Sequence, residues 1–301
     1  MTELQRAAAR NEGFALDVLA GLGSTPKTLP SRWLYDRRGS ELFELITELP
    51  EYYPTRTETG ILRAIAGEVA QIVGPGARLV EYGAGASTKT RILLDALPDL
   101  KAYQPIDISS AFLAETAASL AADYPDLVIT PIAADFMQPV DIDGLSDKEG
   151  RVVGFFPGST IGNLDDDEIA GFLGAARETL GPSALFLLGA DLRKSPDILI
   201  PAYDDQAGVT AEFNLNLLVR INRELDGDFD LANFTHQARW NDAESRIEMH
   251  LVCEQARSVD VLGQTVQFAA GETIHTDNSR KFRVSDLDRM AASGGWTLDR
   301  T

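Results

Sequence analysis

The chain has 301 residues, 44% of them hydrophobic, which suffices for one large domain or two smaller ones with a packed core. Its net charge of −19 argues against binding to nucleic acid or to anionic membranes, because both require a basic protein surface. The first residues contain no apolar segment of the signal-peptide type, and no run of 18 apolar residues occurs, so a cytoplasmic location is expected.

The cysteine and histidine residues predict neither a disulfide framework nor a metal site. The single cysteine, Cys253, lies in an alternating, strand-like stretch and is expected to be buried. The three histidines, His236, His250 and His275, show neither i,i+4 nor His-x-His spacing, so no bound metal is predicted.

The first 60 residues are predicted to form short helices and loops. One helix is expected over Phe14–Leu22 and another over Ser40–Leu49, with Ser40 as its N-cap. The next segment, residues 50–56, holds Tyr52 and Tyr53 between two prolines, which predicts a stiff aromatic loop. Such a loop either packs on the N-terminal segment or forms a lid that presents a phenol to a ligand, and the sequence leaves both open.

From residue 61 onward, helical and strand-like patterns alternate. Helices are expected at 61–73, 90–97, 110–122 and 166–180, and strands at 78–82, 101–106, 128–133, 151–156 and 183–190. This alternation predicts an α/β fold with a doubly wound parallel sheet, whose ligands bind at the carboxyl ends of the strands. The polar residues at those ends are Glu81, Asp107, Asp135, Asn163 and Asp191.

A glycine-rich turn follows the first strand of this sheet. Gly83 and Gly85 match the first two glycines of the dinucleotide fingerprint, but Thr88 stands at the third position, which disfavours NAD. Glu81, directly before the turn, suits a positively charged ligand such as S-adenosylmethionine, which carries an ammonium and a sulfonium group. Asp107, at the end of the second strand, is placed to bind ribose hydroxyls.

The pattern changes after Asp191. Residues 196–224 are predicted to be helical, and residues 239–256 and 258–268 are predicted to pair as antiparallel strands joined at Ala256-Arg257. A helix over 284–292 is expected to cover the parallel sheet, and residues 296–301 are expected to start a strand. The predicted domains are a nucleotide-type domain (61–195, completed by 284–301) and a substrate-binding domain (1–60 plus 196–283).

Longer motifs occur along the chain. They are WLYD at 33–36, LPEYYPTRTE at 49–58, E-x-G-x-G-x-S-x-K-T at 81–90, GSTIGNL at 158–164, AYDDQAGVTAEFN at 202–214, NRELDGDFDL at 222–231, RIEM at 246–249 and T-x-x-S-x-KF at 276–282. Together they resemble the histidine-specific, S-adenosylmethionine-dependent methyltransferase family over essentially the whole chain. The resemblance implies a class I methyltransferase-type sheet with an inserted α+β substrate domain. It also implies trimethylation of the α-nitrogen of L-histidine to hercynine, the first step of ergothioneine biosynthesis, with S-adenosylhomocysteine as the second product.

The resemblance also implies site residues. Those for the methyl donor are Gly83, Lys89, Asp107, Asp135 and Phe136. Those for the amino acid are Tyr35, Tyr53, Gly158, Asn163, Tyr203, Met249, Asp277 and Ser279, with Asn163 and Tyr53 as catalytic residues. Asn163 and Tyr203 would hold the α-amino and carboxylate end, near Tyr35 and Gly158. Asp277 and Ser279 would address the imidazole, and Tyr53 and Met249 would flank the substrate.

One position departs from the family's pattern, which places glutamate where this chain has Asp277. Aspartate is one methylene shorter, so another aromatic amino acid or a histidine derivative stays open as the substrate. A non-catalytic S-adenosylmethionine-binding protein is the alternative of a different class, and the intact Tyr53, Asn163 and Tyr203 argue against it. A monomer that binds a small amino acid is expected.

Overall fold

The computed structural model describes residues 12–84, 88–108, 110–142, 145 and 150–301, without the side chains of residues 110–112. The α-helices of these residues are α1 (Glu12–Gly23), α2 (Arg37–Glu48), α3 (Tyr53–Val73), α4 (Thr88–Ala96), α5 (Ser110–Asp123), α6 (Asp166–Leu180), α7 (Pro196–Leu199), α8 (Val209–Glu224) and α9 (Val284–Ser293). The strands are β1 (Lys27–Thr28), β2 (Arg78–Tyr82), β3 (Ala102–Asp107), β4 (Val128–Ile129), β5 (Ile132–Ala133), β6 (Val152–Phe156), β7 (Leu185–Leu188), β8 (Phe234–Asn241), β9 (Arg246–Cys253), β10 (Arg257–Val261), β11 (Gln264–Phe268) and β12 (Thr273–Arg280).

The chain divides into two compact units. The parallel unit comprises Pro54–Arg193 and Lys281–Thr301, and the antiparallel unit comprises the described residues up to Tyr53 together with Lys194–Arg280. Helix α3 therefore starts in one unit and continues in the other, whereas the sequence predicted a domain boundary at residue 61.

The parallel unit contains a sheet in the order β4-β3-β2-β6-β7, with β5 also paired to β3, and every pairing is parallel. This agrees with the predicted doubly wound sheet. All five residues of β2 are buried, as expected for a strand of a sheet covered on both faces. The strand order reverses between β2 and β6, and in such sheets this reversal point is where ligands bind.

Most local predictions for the parallel unit are confirmed. Helix α6 has the predicted bounds, and a capping box between Asp165 and Glu168 fixes its start. The predicted strand over 128–133 is instead two short strands, because Pro131 lies between them and has no N–H to donate. Helix α9 packs against α6. The predicted strand over 296–301 is wrong, because Trp296 packs against Phe186 and its indole N–H donates to the Leu173 carbonyl at 2.8 Å.

The antiparallel unit contains a sheet in the order β1-β12-β9-β8, in which only the short β1 runs parallel to its neighbour, and a separate β10–β11 hairpin. The predicted pairing of 239–256 with 258–268 is wrong, because each stretch turns back on itself. Ser245 (φ +53°) helps to close the β8–β9 turn, and Leu262 and Gly263 (φ +52° and +75°) close the β10–β11 turn. The buried face of α8, which includes Phe213, packs in the core of this unit.

Two predictions near the N-terminus are corrected. Helix α2 starts at Arg37 because Asp36 accepts a hydrogen bond from the Gly39 N–H at 2.8 Å, so Asp36 and not Ser40 is the N-cap. The predicted loop at 50–56 is wrong as well, since Tyr53 already begins the 21-residue helix α3. Pro54 is accommodated in the first turn, where a helix needs no N–H donor.

Cys253 is buried, as predicted. Within the described ranges, no helix combines the length and the apolar character required to cross a membrane.

Candidate active site

The glycine turn after β2 begins with a left-handed glycine. Gly83 has φ of +69°, and its N–H donates to the Ile106 carbonyl at 2.9 Å, which fixes the end of β2 against β3. A Cβ at Gly83 would come within 3.9 Å of the Phe136 ring. The second glycine of the motif, Gly85, lies outside the described residues.

Lys89, in the first turn of α4, forms an ion pair with Glu58 of α3. The two carboxylate oxygens of Glu58 also accept from the Gly158 N–H at 2.8 and 2.9 Å. Gly158 and Ser159 are both left-handed, with φ of +82° and +57°; the conformation is ordinary for the glycine that Glu58 holds and uncommon for the serine after it. Sequence reasoning missed Glu58, although it is the last residue of the motif at 49–58.

The other residues predicted to bind the methyl donor, and Asn163 of the predicted amino-acid site, lie at or near strand ends. Asp107 is half-buried at the end of β3. Asp135 is exposed, and its Oδ1 accepts from the Met137 N–H at 3.0 Å. The Phe136 ring packs edge-on against neighbouring rings of the core, with centroid distances of 6.2, 5.6 and 5.6 Å to Tyr82, Phe156 and Phe172. Asn163 is half-buried at the end of a short 3₁₀ helix, Thr160–Asn163.

Two acids at the strand ends are committed to the protein itself. Glu81 is 2% exposed, and its Oε2 accepts from the Thr90 hydroxyl at 2.8 Å and the Tyr103 hydroxyl at 2.7 Å. Burial raises the pKa of this carboxyl to about 7. Asp191 forms an ion pair at 3.1 Å with the fully buried ammonium of Lys281. Both acids therefore have partners within the parallel unit itself.

A β-bulge in β12 positions two predicted acceptor residues. His275 is paired with His250 of β9, but after the bulge Asp277 is paired with Met249. Since His250 and Met249 lie on opposite faces of β9, the bulge turns Asp277 to the Met249 face. Asp277 and Ser279, two residues apart, are 9% and 5% exposed.

Tyrosines of the antiparallel unit surround this pair. The Tyr203 hydroxyl and the Ser279 hydroxyl are 2.7 Å apart and hydrogen-bonded, and the Tyr52 ring packs edge-on against Tyr203 with centroids 6.0 Å apart. The Tyr35 residue is 37% exposed, but desolvation of its phenol and then the negative charge of Asp277 raise the pKa of that phenol above its usual value of 10. Tyr35 is therefore an electrostatic neighbour of Asp277, and its predicted place near the α-amino end stays a prediction.

Tyr53, the predicted catalytic tyrosine, carries a cation on its ring. The Lys194 ammonium lies 4.7 Å from the Tyr53 ring centroid, which is a cation–π contact. The ring face of Tyr53 is therefore able to hold an ammonium group. Nothing in the sequence signalled Lys194.

The family model described as "Histidine-specific methyltransferase, SAM-dependent" matches residues 14–301. The chain belongs to this methyltransferase family. The enzyme is therefore S-adenosylmethionine-dependent, as the sequence predicted, and its parallel sheet is the α/β sheet of this methyltransferase.

Three proteins of different names are similar to this chain. The chain is 46% identical to a protein of Mycolicibacterium smegmatis named histidine N-alpha-methyltransferase, over 94% of this chain and 89% of that protein. It is 34% identical to ergothioneine biosynthesis protein 1 of Neurospora crassa, over 90% of this chain and 31% of that protein. It is 27% identical to 4-dimethylallyltryptophan N-methyltransferase ifgB of Penicillium roqueforti, over 97% of this chain and 90% of that protein.

The chemistry of the parallel unit fits the methyl donor of this family. Carboxylates at Asp107 and Asp135 can accept from ribose hydroxyls and from an adenine amino group, and Phe136 adds an apolar ring beside Asp135. Gly83 leaves open the space that a Cβ would fill, and Lys89 supplies a positive charge. These residue roles stay predictions.

A buried hydrogen-bond chain fixes Tyr203 of the methyltransferase. The Asn214 amide N–H donates to Nδ1 of His236 at 2.9 Å, and Nε2 of His236 donates to the Tyr203 carbonyl at 2.8 Å. Since a carbonyl only accepts, the proton lies on Nε2 and the imidazole is neutral. Burial is the main cause that lowers the pKa of His236. This chain was missed by the sequence because its residues come from separate elements.

The other two histidines of the methyltransferase meet across strands. Atoms of Glu248, His250 and His275 that could bind a metal ion lie within 4.8 Å of one another, and the two imidazoles stack with centroids 4.7 Å apart. Sequence spacing could not show this group, because it depends on the pairing of β9 with β12. Within it His250 hydrogen-bonds to Glu248 at 3.2 Å, and Arg246 pairs with Glu248 at 2.8 Å. The absence of a metal stays a prediction.

Proposed function

We propose that the protein transfers three methyl groups from S-adenosylmethionine to the α-nitrogen of L-histidine and so forms hercynine, the first step of ergothioneine biosynthesis. The observation that carries this proposal is the 46% identity, over 94% of the chain, to the Mycolicibacterium histidine N-alpha-methyltransferase. The site supports it, because the Asp277 carboxylate and the hydrogen-bonded Ser279–Tyr203 hydroxyls form a buried polar group that suits an imidazole.

When bound, S-adenosylmethionine supplies an electrophilic methyl group on its sulfonium. The task of the protein is then orientation, since a displacement gains most of its acceleration from placing the two reacting atoms in line. The side-chain amide of Asn163 orients the neutral α-nitrogen without competing as a charge. Each transfer leaves one positive charge on the nitrogen; the first two products release a proton to water before the next transfer, and the third is a quaternary ammonium. The ring face of Tyr53 can hold such a cation, as its contact with Lys194 illustrates.

Selection of the amino acid rests on Asp277 and its neighbours. A buried carboxylate can accept from an imidazole N–H or pair with an imidazolium. An amino acid that cannot make this hydrogen bond would leave the buried carboxylate without a partner. Because that costs more than losing an apolar contact, the carboxylate discriminates strongly between amino acids. Tyr35, whose phenol feels the charge of Asp277, lies in this selecting group.

A second substrate class is favoured by one specific observation. Asp277 is a methylene shorter than the glutamate expected at this position, which leaves more room for a larger side chain. The Penicillium relative, whose name gives a prenylated tryptophan as its substrate, belongs to the same range of sequences. An aromatic amino acid other than histidine is therefore the alternative acceptor.

The test is a methyl-transfer assay read by mass spectrometry, with L-histidine, 1-methylhistidine and L-tryptophan supplied separately and in competition. We expect trimethylated histidine as the main product, with S-adenosylhomocysteine formed in proportion. Preferred methylation of tryptophan or 1-methylhistidine would establish the alternative, and no methylated product from any of them would refute both. A cytoplasmic location and a monomeric state stay predictions.

A further inference from the structure

The ion pair between Glu58 and Lys89 lies at the ligand-binding edge of the parallel sheet. Lys89 belongs to the helix that follows the glycine turn after β2, and Gly158, which Glu58 holds, follows β6. Strands β2 and β6 are neighbours, and the strand order of the sheet reverses between them. The pair therefore spans the point at which a doubly wound sheet binds its ligand.

The surroundings of Glu58 are shaped to hold its carboxylate at this point. Both oxygens accept from the Gly158 N–H, and a Cβ at Gly189 would lie only 2.0 Å from Oε1 of Glu58. Gly189 directly follows β7, so Glu58 passes over the end of a third strand where no side chain fits. This close approach fixes the acid more tightly than a surface ion pair requires.

The two charges remain reachable by a ligand. The side chains of Lys89 and Glu58 are 19% and 18% exposed, so the pair is half-buried but open to solvent. A half-buried pair gains little stability for the fold once desolvation is counted. A ligand that carries one ammonium and one carboxylate could replace each partner with an opposite charge while leaving the bond between Glu58 and Gly158 intact.

We propose that this ion pair recognises the amino-acid end of the methyl donor, with Glu58 binding its ammonium group and Lys89 binding its carboxylate. The proposal deepens the proposed function, because it assumes that the donor is S-adenosylmethionine. It adds Glu58 as a ligand-binding residue and Gly189 as the residue that leaves room for it.

The test compares two probes that differ in the amino-acid end. S-adenosylhomocysteine has this end and 5′-methylthioadenosine lacks it, and both are titrated calorimetrically into the full-length protein without acceptor. We expect Glu58→Gln to weaken the binding of S-adenosylhomocysteine about 10- to 100-fold, the usual range for a lost hydrogen bond between charged groups. The affinity for methylthioadenosine should stay within about twofold of wild type. Gly189→Ala should give the same selective loss, since the new methyl group would displace Glu58.

Glu68→Gln is the matched control, because Glu68 lies on the same helix and pairs with the exposed Arg300. It should change neither affinity. An equal loss of both probes in Glu58→Gln would mean that the pair only supports the fold, and unchanged binding of S-adenosylhomocysteine would remove Glu58 from the site; either result overturns the proposal. If Gly189→Ala does not fold, Glu58→Gln decides alone. Failure of the proposed function appears separately, as a wild-type protein that binds S-adenosylhomocysteine but does not methylate histidine.

Discussion

In the parallel unit, Gly83, Asp107, Asp135 and Phe136 lie at or just after strand ends, so their places are set by local structure, whereas Glu58 reaches Lys89 and Gly158 from helix α3. Gly83 directly follows β2, Asp107 ends β3, and Asp135 follows β5. In the antiparallel unit, Tyr35, Tyr203 and Asp277 come from distant segments and meet through packing and strand pairing. If the predicted roles are correct, donor binding depends mainly on the ends of the sheet strands and acceptor choice on non-local contacts, and the following predictions test that division.

The largest expected effect is that of Asn163→Ala, which probes the acceptor role of a residue that belongs to the parallel unit. Loss of the orienting amide should lower kcat on histidine about 1,000-fold, or about 4 kcal/mol, because the α-nitrogen is no longer held in line. Single-turnover kinetics would measure this, with the affinity for S-adenosylhomocysteine unchanged as the control. Near-normal turnover would remove Asn163 from the catalytic residues.

Glu81→Gln tests the stability of the parallel unit. The folded pKa of about 7 lies above the ordinary value of 4.5, so the folded state favours the protonated carboxyl. The protonated carboxyl contributes its full stability to the fold below about pH 4.5, and this stability is lost as the pH rises through 7. The loss amounts to about 3 kcal/mol of unfolding free energy. At pH 8 the variant should therefore melt at a higher temperature than wild type, and the difference should shrink at pH 5. A difference in melting temperature that does not depend on pH would contradict a buried carboxyl with a raised pKa.

Asp277→Ala is expected to change the acceptor without affecting the donor. The KM for histidine should rise about 10- to 100-fold, since a charged hydrogen-bond partner is lost from a buried site. Competition between histidine and tryptophan, read by mass spectrometry, should show a smaller preference for histidine than in wild type. If Asp277→Ala and Asn163→Ala reduced histidine turnover alike and selectivity did not move, the division between selecting and catalytic residues would fail.

The smallest expected effect is the coupling between Tyr203 and Ser279. A double-mutant cycle of Tyr203→Phe and Ser279→Ala, read as histidine affinity, should give a coupling of about 1 kcal/mol for their 2.7 Å hydrogen bond. The control cycle pairs Tyr203→Phe with Ser258→Ala, because Ser258 is exposed on the β10–β11 hairpin. Coupling indistinguishable from zero would show that the two hydroxyls do not act together on the acceptor.

The sequence predicted the parallel sheet well, because each of its strands is a short apolar run beside a helix of clear periodicity. Helix α6, with its N-terminal capping box, is an example. The same reasoning paired the strands after residue 239 wrongly, because the alternation of apolar and polar residues predicts a strand but not the strand with which it pairs. The bulge that turns Asp277 to the Met249 face has no signal in a single sequence.

For the site, motif resemblance supplied residues but not their partners. Glu58 and Gly158 are 100 residues apart, and only the folded sheet brings the carboxylate to the loop. Lys194 reaches Tyr53, and His236 reaches Tyr203, through contacts that follow from packing and not from spacing. Tyr35 was predicted as a site residue, yet its neighbourhood with Asp277 emerged only from the structure.

The most direct test of the division between donor and acceptor binding is a calorimetric comparison of two ligands on two variants. S-adenosylhomocysteine is titrated into Lys89→Met and Asp277→Ala, and L-histidine is titrated into the same proteins saturated with S-adenosylhomocysteine. We predict that Lys89→Met weakens the binding of S-adenosylhomocysteine at least tenfold and leaves histidine binding nearly unchanged. We predict that Asp277→Ala weakens histidine binding at least tenfold and leaves S-adenosylhomocysteine binding nearly unchanged. Equal weakening of both ligands by either variant would contradict the account.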